Sequence, residues 1–248
     1  MEIDYSEYRL SGKETITFLV AGYMVTFTVL FLFYHSIAFS LAGGILPYFA
    51  LRNYRQWKAE KRRTLLTIQF KDLLYSLSAS IAANFQISEA LANGLESLRM
   101  LYDESTPLIS ELKYMVKNIS ENRESDIQIF LDFAKRSHCE DIDNFVQVYM
   151  TCRTMGGNLE KVIKSTTEII VDKINIESEI RTLTAQKKFE GKIISMMPFA
   201  ILLLLNLFSP DYLEPLYTTL TGRIVMTAAL GGLVFAFFLT ERLTAIEV

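Results

Sequence analysis

The chain contains few of the residues that mark several protein classes. Two Cys, five Pro and 11 Gly occur among its 248 residues. This composition excludes a disulfide-rich scaffold, a collagen-like repeat and a low-complexity disordered chain. The net charge is −3, so no overall basic field exists to attract nucleic acid, and we expect no nucleic-acid partner.

Charge is missing from three long stretches of the sequence. Asp, Glu, Lys and Arg are absent from Thr15–Leu51, Ile193–Pro210 and Ile224–Thr240, whereas Arg52–Lys192 holds most of the charge. A charged side chain at the centre of a bilayer costs about 3 kcal/mol or more. Because soluble proteins do not sort their charge in this way, the sequence predicts an integral membrane protein.

The uncharged stretches predict about four transmembrane helices. A helix needs about 20 apolar residues to cross the hydrocarbon layer, and Ile16–Tyr34 satisfies this requirement. Residues 16–51 are too many for one span, so we predict a transmembrane hairpin that turns near 34–36. One long tilted helix followed by an interfacial segment is the alternative. The other two spans are predicted over 193–208 and 223–240.

Basic residues beside the spans predict the orientation, because such residues favour the cytoplasmic side. A basic run follows the second span, and three lysines precede the third span. These residues are Arg52, Arg55, Lys58, Lys61, Arg62 and Arg63, then Lys187, Lys188 and Lys192. The loop 209–222 carries Asp211 and Glu214 but no Lys or Arg, so we expect it outside the cell membrane.

Both termini are predicted to be cytoplasmic. Four spans return the chain to its starting side, which places residues 1–15 and the tail 241–248 together with the central region. Arg9, Lys13 and Arg242 agree with this orientation. The first 14 residues are mixed in charge and unlike a basic leader, so no signal peptide is expected. We therefore predict a multi-pass protein of the cytoplasmic, or inner, membrane.

We interpret the basic run from Arg52 to Arg63 as a membrane-edge anchor that contacts anionic lipid. Tyr54 and Trp57 lie within the run, and aromatic residues of this kind are enriched at the membrane interface. A nucleic-acid-binding patch is the alternative interpretation. Its position directly after a span favours the anchor.

The central region 52–192 predicts a cytoplasmic antiparallel bundle of about six helices. Helical periodicity occurs throughout it, without extended strand-like alternation. Leu65–Ala82 and Ser88–Met100 form a predicted helical pair that turns at Ala83 and Asn84. Pro107 follows Thr106 and begins the next helix, since proline is favoured in a first turn. The predicted protein is therefore all-α.

Three later motifs predict further helix boundaries. Ser125 to Gln128 has the pattern of a capping box. Gly156 and Gly157 end a helix in a turn that is expected to need positive φ. Asn158 begins a helix that runs to about Gln186 and is expected to continue into the third span. The expected inward residues are Ile142, Phe145, Val146, Tyr149 and Cys152, then Leu159, Val162, Ile163, Thr166, Ile169 and Ile170.

Catalytic signatures are absent from the sequence, so we expect no enzymatic activity, no cofactor and no metal. It has no Gly-rich phosphate loop ending in Lys and Ser or Thr, no HExxH and no GxSxG. One polar cluster comes nearest to a metal site, but its spacing matches no standard zinc pattern. Its members are His138, Cys139, Glu140, Asp141, Asp143 and Cys152. We interpret the cluster as a polar turn with buried, reduced cysteines, and metal binding is the alternative.

Three polar or rigid residues lie within the predicted spans. Asn206 is expected to hydrogen-bond across helices. Pro47 and Pro198 are expected to kink their spans. These features are too few to build a substrate pathway, which disfavours a transporter.

Three segments in order resemble the type II secretion system F domain, over about residues 70–205. Phe70–Leu91 (FKDLLYSLSASIAANFQISEAL) resembles the opening helical pair, with Asn84 where the family usually carries glycine. Val148–Ile163 (VYMTCRTMGGNLEKVI) resembles the second pair, with its turn at Gly156, Gly157 and Leu159. Ile180–Pro198 resembles the exit toward the membrane, which ends in the family's proline.

A single such domain with paired spans at each end is similar to the platform proteins of tight-adherence (Tad or Flp) pili, of the B or C type. The resemblance implies a non-enzymatic platform that couples a cytoplasmic secretion ATPase to pilin movement. The partners it implies are that ATPase, prepilin or pilin, and a paralogous platform subunit or a second copy, beside membrane lipid. A membrane sensor with a helical output, and a small transporter or membrane enzyme, are the alternatives.

Charged faces of the bundle are the candidate ATPase-binding surface, because Lys and Glu alternate around 111–124 and 160–179. Within these faces we single out Lys113, Lys117, Lys161 and Lys164. Ordinary solvated faces are the alternative interpretation.

Overall fold

A computed structural model describes residues 4–6, 8, 10–122 and 124–243. Arg9 and the predicted tail beyond 243 lie outside the described residues. The ten α-helices within this part of the chain are α1 (Gly12–Tyr34), α2 (Ile37–Ala42), α3 (Leu46–Ala82), α4 (Ile87–Arg99), α5 (Pro107–Ser120), α6 (Asp126–Ser137), α7 (Glu140–Met155), α8 (Leu159–Phe208), α9 (Pro210–Thr218) and α10 (Leu220–Leu243). No strand occurs among the described residues, so the all-α prediction is confirmed.

The chain divides into two compact units. The bundle unit combines described residues of the segment Met1–Arg9 with Arg55–Glu177, and the apolar unit combines Leu10–Tyr54 with Ser178–Val248. Both α3 and α8 contribute residues to each unit, since the divisions fall within these helices.

The core of the bundle unit draws on six helical segments. They are the later part of α3, all of α4 to α7, and the first part of α8, and each contributes buried apolar residues. Aromatic rings meet at its centre: Phe70 lies 5.6 Å from Phe145, and Phe130 lies 4.9 Å from Tyr149. Such a pair contributes about 1 kcal/mol beyond the area that it buries. The inward stripe predicted on α7 is buried in this core.

The predicted turns after α3 and α7 adopt left-handed backbone conformations. Asn84 has φ 61° and Gly156 has φ 77°, and Asn and Gly are the residues that tolerate this region best. Asn158 then begins α8, and its Oδ1 accepts the backbone N–H of Lys161 at 3.0 Å. The expectation of positive φ at Gly157 is wrong, because only Gly156 among the described glycines has it.

Two local predictions in the bundle unit are only partly correct: the start of α6 and the burial of Ile163 and Ile170 are as predicted. Ser125 occupies the N-cap of α6, but its side chain makes no capping hydrogen bond. Ile169 is 68% exposed, whereas Thr167 and Ile170 are buried. The buried face of α8 is therefore rotated away from the expected stripe, because the packing of neighbouring helices selects the face.

Helix α8 is continuous for 50 residues and includes Pro198 within its length. The predicted continuation from Asn158 into the third apolar stretch is therefore correct. Helix α3 begins at Leu46, earlier than the predicted start at Leu65. Pro47 is the second residue of this helix, where its missing N–H costs no hydrogen bond.

In the apolar unit, the chain turns back on α1 after Tyr34. His35 ends α1 in a left-handed conformation, with φ 47°, and the following segment returns along the same helix. A Cβ placed on Gly22 would lie 2.8 Å from Pro47 Cβ, and the rings of Phe18 and Tyr54 stack at 4.2 Å. The turn therefore lies where the sequence predicts it, and a single continuous helix over 16–51 does not form.

The predicted loop 209–222 is mostly helical, because α9 occupies Pro210–Thr218. Gly222 allows the close turn from α9 into α10: a Cβ there would lie 2.6 Å from the backbone of Leu216 and of Pro215. By length and composition, three of the described helices are long and apolar enough to cross a membrane. They are Gly12–Tyr34, Leu159–Phe208 and Leu220–Thr240. The membrane-protein character predicted from the sequence is supported to this extent.

Candidate partner-binding surfaces

The N-terminal segment packs onto the bundle unit through Tyr5. The Tyr5 side chain is completely buried. Its hydroxyl donates to Glu111 Oε1 at 3.1 Å, and its backbone N–H donates to the Arg136 carbonyl oxygen at 3.0 Å. The Arg62 guanidinium lies 4.6 Å from the centre of the ring. One residue near the chain start thus connects α3, α5 and α6.

An ion-pair network lies beneath Tyr5. Arg136 donates two hydrogen bonds of 2.9 Å to the two carboxylate oxygens of Glu111, and a third, of 2.8 Å, to Asp132. Glu111 is only 3% exposed. A buried charge of this kind is tolerated when a bidentate partner satisfies it.

The network also shifts protonation equilibria. Burial, together with the negative charge of Glu111, raises the pKa of the Tyr5 phenol. Burial opposes the charged form of Arg136, but its hydrogen bonds to Glu111 and Asp132 outweigh that effect and raise its pKa. Tyr5 therefore stays a neutral donor, and Arg136 stays a cation at physiological pH. Sequence reasoning missed Tyr5, and the only signal was an aromatic residue in a short polar segment.

The basic run predicted as a membrane-edge anchor lies along α3. Arg52 and Arg55 are exposed. The ammonium group of Lys58 lies 5.7 Å from the Tyr8 ring, and that of Lys61 lies 5.3 Å from the Trp57 ring. Arg63 is half-buried, and its Nε has no hydrogen-bond partner among the described residues. Part of the run therefore packs within the bundle unit, and the anchor stays a prediction for the rest.

The four lysines predicted to bind a partner lie on two helices. Lys113 and Lys117 are on α5, and Lys161 and Lys164 are on α8. Lys113 is ion-paired with Glu104, which also pairs with Arg99 at 3.1 Å. Lys164 and Lys161 have exposed side chains at the start of α8. Lys117 lies 3.9 Å from the Glu121 carboxylate, so both lysines of α5 are ion-paired. The two helices therefore give two separate candidate surfaces, and Lys161 and Lys164 form no ion pair among the described residues.

A groove of about 510 Å³ lies between the end of α7 and the start of α8. Its wall includes Val148 and Met155, which are 39% and 81% exposed, and the buried Cys152. The groove is open and mainly apolar, so it suits an apolar side chain better than a charged group. Val162 also lines the groove, and this residue directly follows Lys161 in the sequence.

Residues of the polar cluster that was considered as a metal site contact other residues of the bundle unit. His138 ends α6 with φ 50°, and its Nε2 lies 3.4 Å from the Asp4 carboxylate. Asp141 accepts a hydrogen bond from Lys173 Nζ at 2.8 Å, which raises the pKa of that lysine. Cys139 is buried, and burial raises the pKa of its thiol. Within the described residues, no group of three or more His, Cys, Asp and Glu is placed to hold a metal ion.

Comparison with known proteins identifies no relative. No protein-family model matches the chain, and neither the curated proteins nor the solved structures include a match.

Proposed function

We propose that the protein is a non-enzymatic membrane platform, of the type II secretion or Tad/Flp pilus kind, that couples a cytoplasmic ATPase to pilin movement. The observation that carries the proposal is the agreement between the resembling segments and the backbone at their turns. The position that usually carries glycine holds Asn84 in a left-handed conformation, and the Gly-Gly turn has its left-handed residue at Gly156. Helix α8, which carries Leu159 and Pro198, continues without a break from the second turn to the exit segment.

The proposed topology has four spans with both termini and the bundle unit in the cytoplasm. The N-terminal segment and Arg55–Glu177 belong to the same unit. Because Tyr5 contacts Glu111 within that unit, a membrane-spanning α1 requires a second crossing before Arg55. The hairpin, with 37–51 as the second span, meets this requirement. The basic residues around 52–63 favour the cytoplasmic side for the bundle unit.

In the proposed mechanism, the ATPase performs the chemistry, and this chain provides a surface and a membrane connection. The ATPase would bind the bundle unit through its exposed lysines. Helices α3 and α8 each join residues of the bundle unit covalently to residues of the apolar unit. A displacement imposed on the bundle by the ATPase would pass along these helices toward the pilin in the membrane. A paralogous subunit or a second copy would complete the platform.

Charge reversal on each lysine pair tests the ATPase surface. We expect Lys113→Glu with Lys117→Glu, or Lys161→Glu with Lys164→Glu, to reduce co-purification of the cognate ATPase and pilus output. Lys135→Glu, on the exposed surface of α6, is the matched control and should leave binding unchanged. Membrane level and helical content are measured in parallel. Normal binding by both double variants would place the contact elsewhere.

The platform role itself has a separate test. Purified protein is expected to show no ATP hydrolysis, and deletion of its gene is expected to abolish pilus assembly or secretion. Turnover of ATP by the purified chain, lost through a substitution within that chain, would refute the proposal. Cysteine labelling tests the topology: a cysteine within 209–222 should react from outside, and one after Val248 should not.

A further inference from the structure

A polar cavity of about 570 Å³ lies at one end of the apolar unit. It is located where α1 and α8 end, beside α9 and the start of α10. Nine of its ten lining residues are polar, and three of these are charged: Asp211, Glu214 and Arg223. Its volume lies within the range of about 300–1,000 Å³ that is usual for small-molecule sites. Neither the resemblance nor the proposed platform role gives this cavity a function.

Hydrogen bonds and ring contacts hold the floor of the cavity in place. The Tyr217 hydroxyl donates to the Leu32 carbonyl oxygen at 2.9 Å, and Asn206 Nδ2 donates to that hydroxyl at 3.5 Å. The His35 ring lies 5.0 Å from the rings of both Phe31 and Tyr217. His35 also has a left-handed backbone, with φ 47°. Non-glycine residues in this conformation are concentrated at functional sites.

The charged groups of the cavity are available to a ligand. Arg223 Nε donates to the Tyr217 carbonyl oxygen at 3.1 Å, which orients the guanidinium group. Its two Nη nitrogens have no partner among the described residues, and the carboxylates of Asp211 and Glu214 likewise form no ion pair within that part of the chain. The cavity therefore offers a guanidinium donor and two carboxylate acceptors at the same time. A ligand that matches it carries both an anionic and a cationic group.

We propose that this cavity binds a phosphoethanolamine group, presented by a membrane phospholipid. A guanidinium group is a strong phosphate donor, and a primary ammonium group has three N–H donors for the carboxylates. The position of the cavity favours the lipid as the source. It lies at the ends of three helices that are apolar enough to span a membrane, which is the depth of lipid headgroups. Exposed Phe208 and Leu220 at these ends offer apolar surface to the acyl chains.

The chemistry of the headgroup predicts selective binding of phosphatidylethanolamine. Phosphatidylcholine has the phosphate but no ammonium N–H, so it cannot donate to Asp211 or Glu214. Phosphatidylglycerol has no cationic group. Because a hydrogen bond to a charged group contributes about 1.5 kcal/mol or more, phosphatidylethanolamine should bind at least about tenfold more tightly than either lipid. The proposal rests on the proposed membrane location of the apolar unit and is independent of ATPase coupling.

Native mass spectrometry of the full chain in detergent tests the proposal, with each of the three lipids added at matched concentrations. We expect a retained phosphatidylethanolamine, and about a tenfold loss of its affinity in the double variant Asp211→Asn with Glu214→Gln. Arg223→Gln should weaken phosphatidylethanolamine and phosphatidylcholine alike. Glu168→Gln, an exposed carboxylate of the bundle unit, is the matched control.

Each outcome of this experiment decides something. Equal binding of phosphatidylethanolamine and phosphatidylcholine would overturn the proposal, as would unchanged affinity in the double variant. Free phosphoethanolamine that competes at the same concentration as the lipid would overturn the lipid source. If the double variant loses helical content, the comparison of the three lipids on the unaltered chain still decides the question. If the unaltered chain fails to co-purify with the cognate ATPase but keeps its lipid selectivity, the platform role alone is refuted.

Discussion

Replacement of Tyr5 is expected to destabilise the bundle unit, although the residue lies near the start of the chain. Its ring is completely buried, and its hydroxyl donates to the buried Glu111. Tyr5→Phe removes only the hydroxyl, and Tyr5→Ala removes the ring as well. Comparison of the two variants therefore separates the hydrogen bond from apolar packing.

The structure gives the size of each effect. A hydrogen bond to a charged acceptor contributes about 1.5–3 kcal/mol. Glu111 keeps two hydrogen bonds from Arg136 when the hydroxyl is removed, so the cost of Tyr5→Phe should be near 1.5 kcal/mol. Loss of a buried aromatic ring costs about 3–5 kcal/mol, and loss of the Arg62 cation over the ring adds about 0.5–1 kcal/mol.

These losses of stability are measured by thermal unfolding of the full chain in detergent, monitored by circular dichroism. At about 2–4 °C per kcal/mol, Tyr5→Ala should lower Tm by roughly 10–30 °C, and Tyr5→Phe by a few degrees. Tyr75→Ala is the matched control, because that side chain is 53% exposed and should change stability by about 0.5 kcal/mol or less. Limited proteolysis before Ser11 reports release of the N-terminal segment. If Tyr5→Ala matches Tyr75→Ala in both measurements, the packing described for Tyr5 is wrong.

The turn between α7 and α8 and the buried tyrosines provide two further predictions. Gly156→Ala should lower the free energy of unfolding by about 1–2 kcal/mol, because φ is positive at Gly156. Gly156→Asn should lower it less, and so should Gly157→Ala at the neighbouring position. Equal melting temperatures for the two alanine variants would contradict this. Burial raises the pKa of Tyr149, as it does for Tyr5, so the unfolded chain loses these phenolic protons first. The contribution of these two tyrosines to the free energy of unfolding should then be constant below about pH 10. Above that pH it should fall by up to about 1.4 kcal/mol per pH unit for each tyrosine. Tyr149→Phe should flatten this fall in urea unfolding, and an unchanged slope would argue against the raised pKa.

The amino-acid sequence alone was sufficient to predict the all-α class, the apolar stretches and most helix boundaries. These features depend on local properties. Asn84 and Gly156 lie at their turns because few other residues tolerate a left-handed backbone. The uncharged run to Phe208 indicates a membrane span because charge is costly in a bilayer. Such signals can be recognised from residue type and spacing within a single helix.

Only the tertiary structure determined which face of α8 is buried and which charged residues lie inside the bundle unit. Ile169 lies about 140° around the helix from the centre of the buried face, at 100° per residue, and α8 has apolar residues on more than one side. Glu111 belongs to a face that the sequence describes as charged, yet it is 3% exposed. Its burial depends on Arg136, 25 residues away, and on Tyr5, 106 residues away. Contacts at such separations leave no periodic pattern in the sequence, because each depends on the packing of several helices at once.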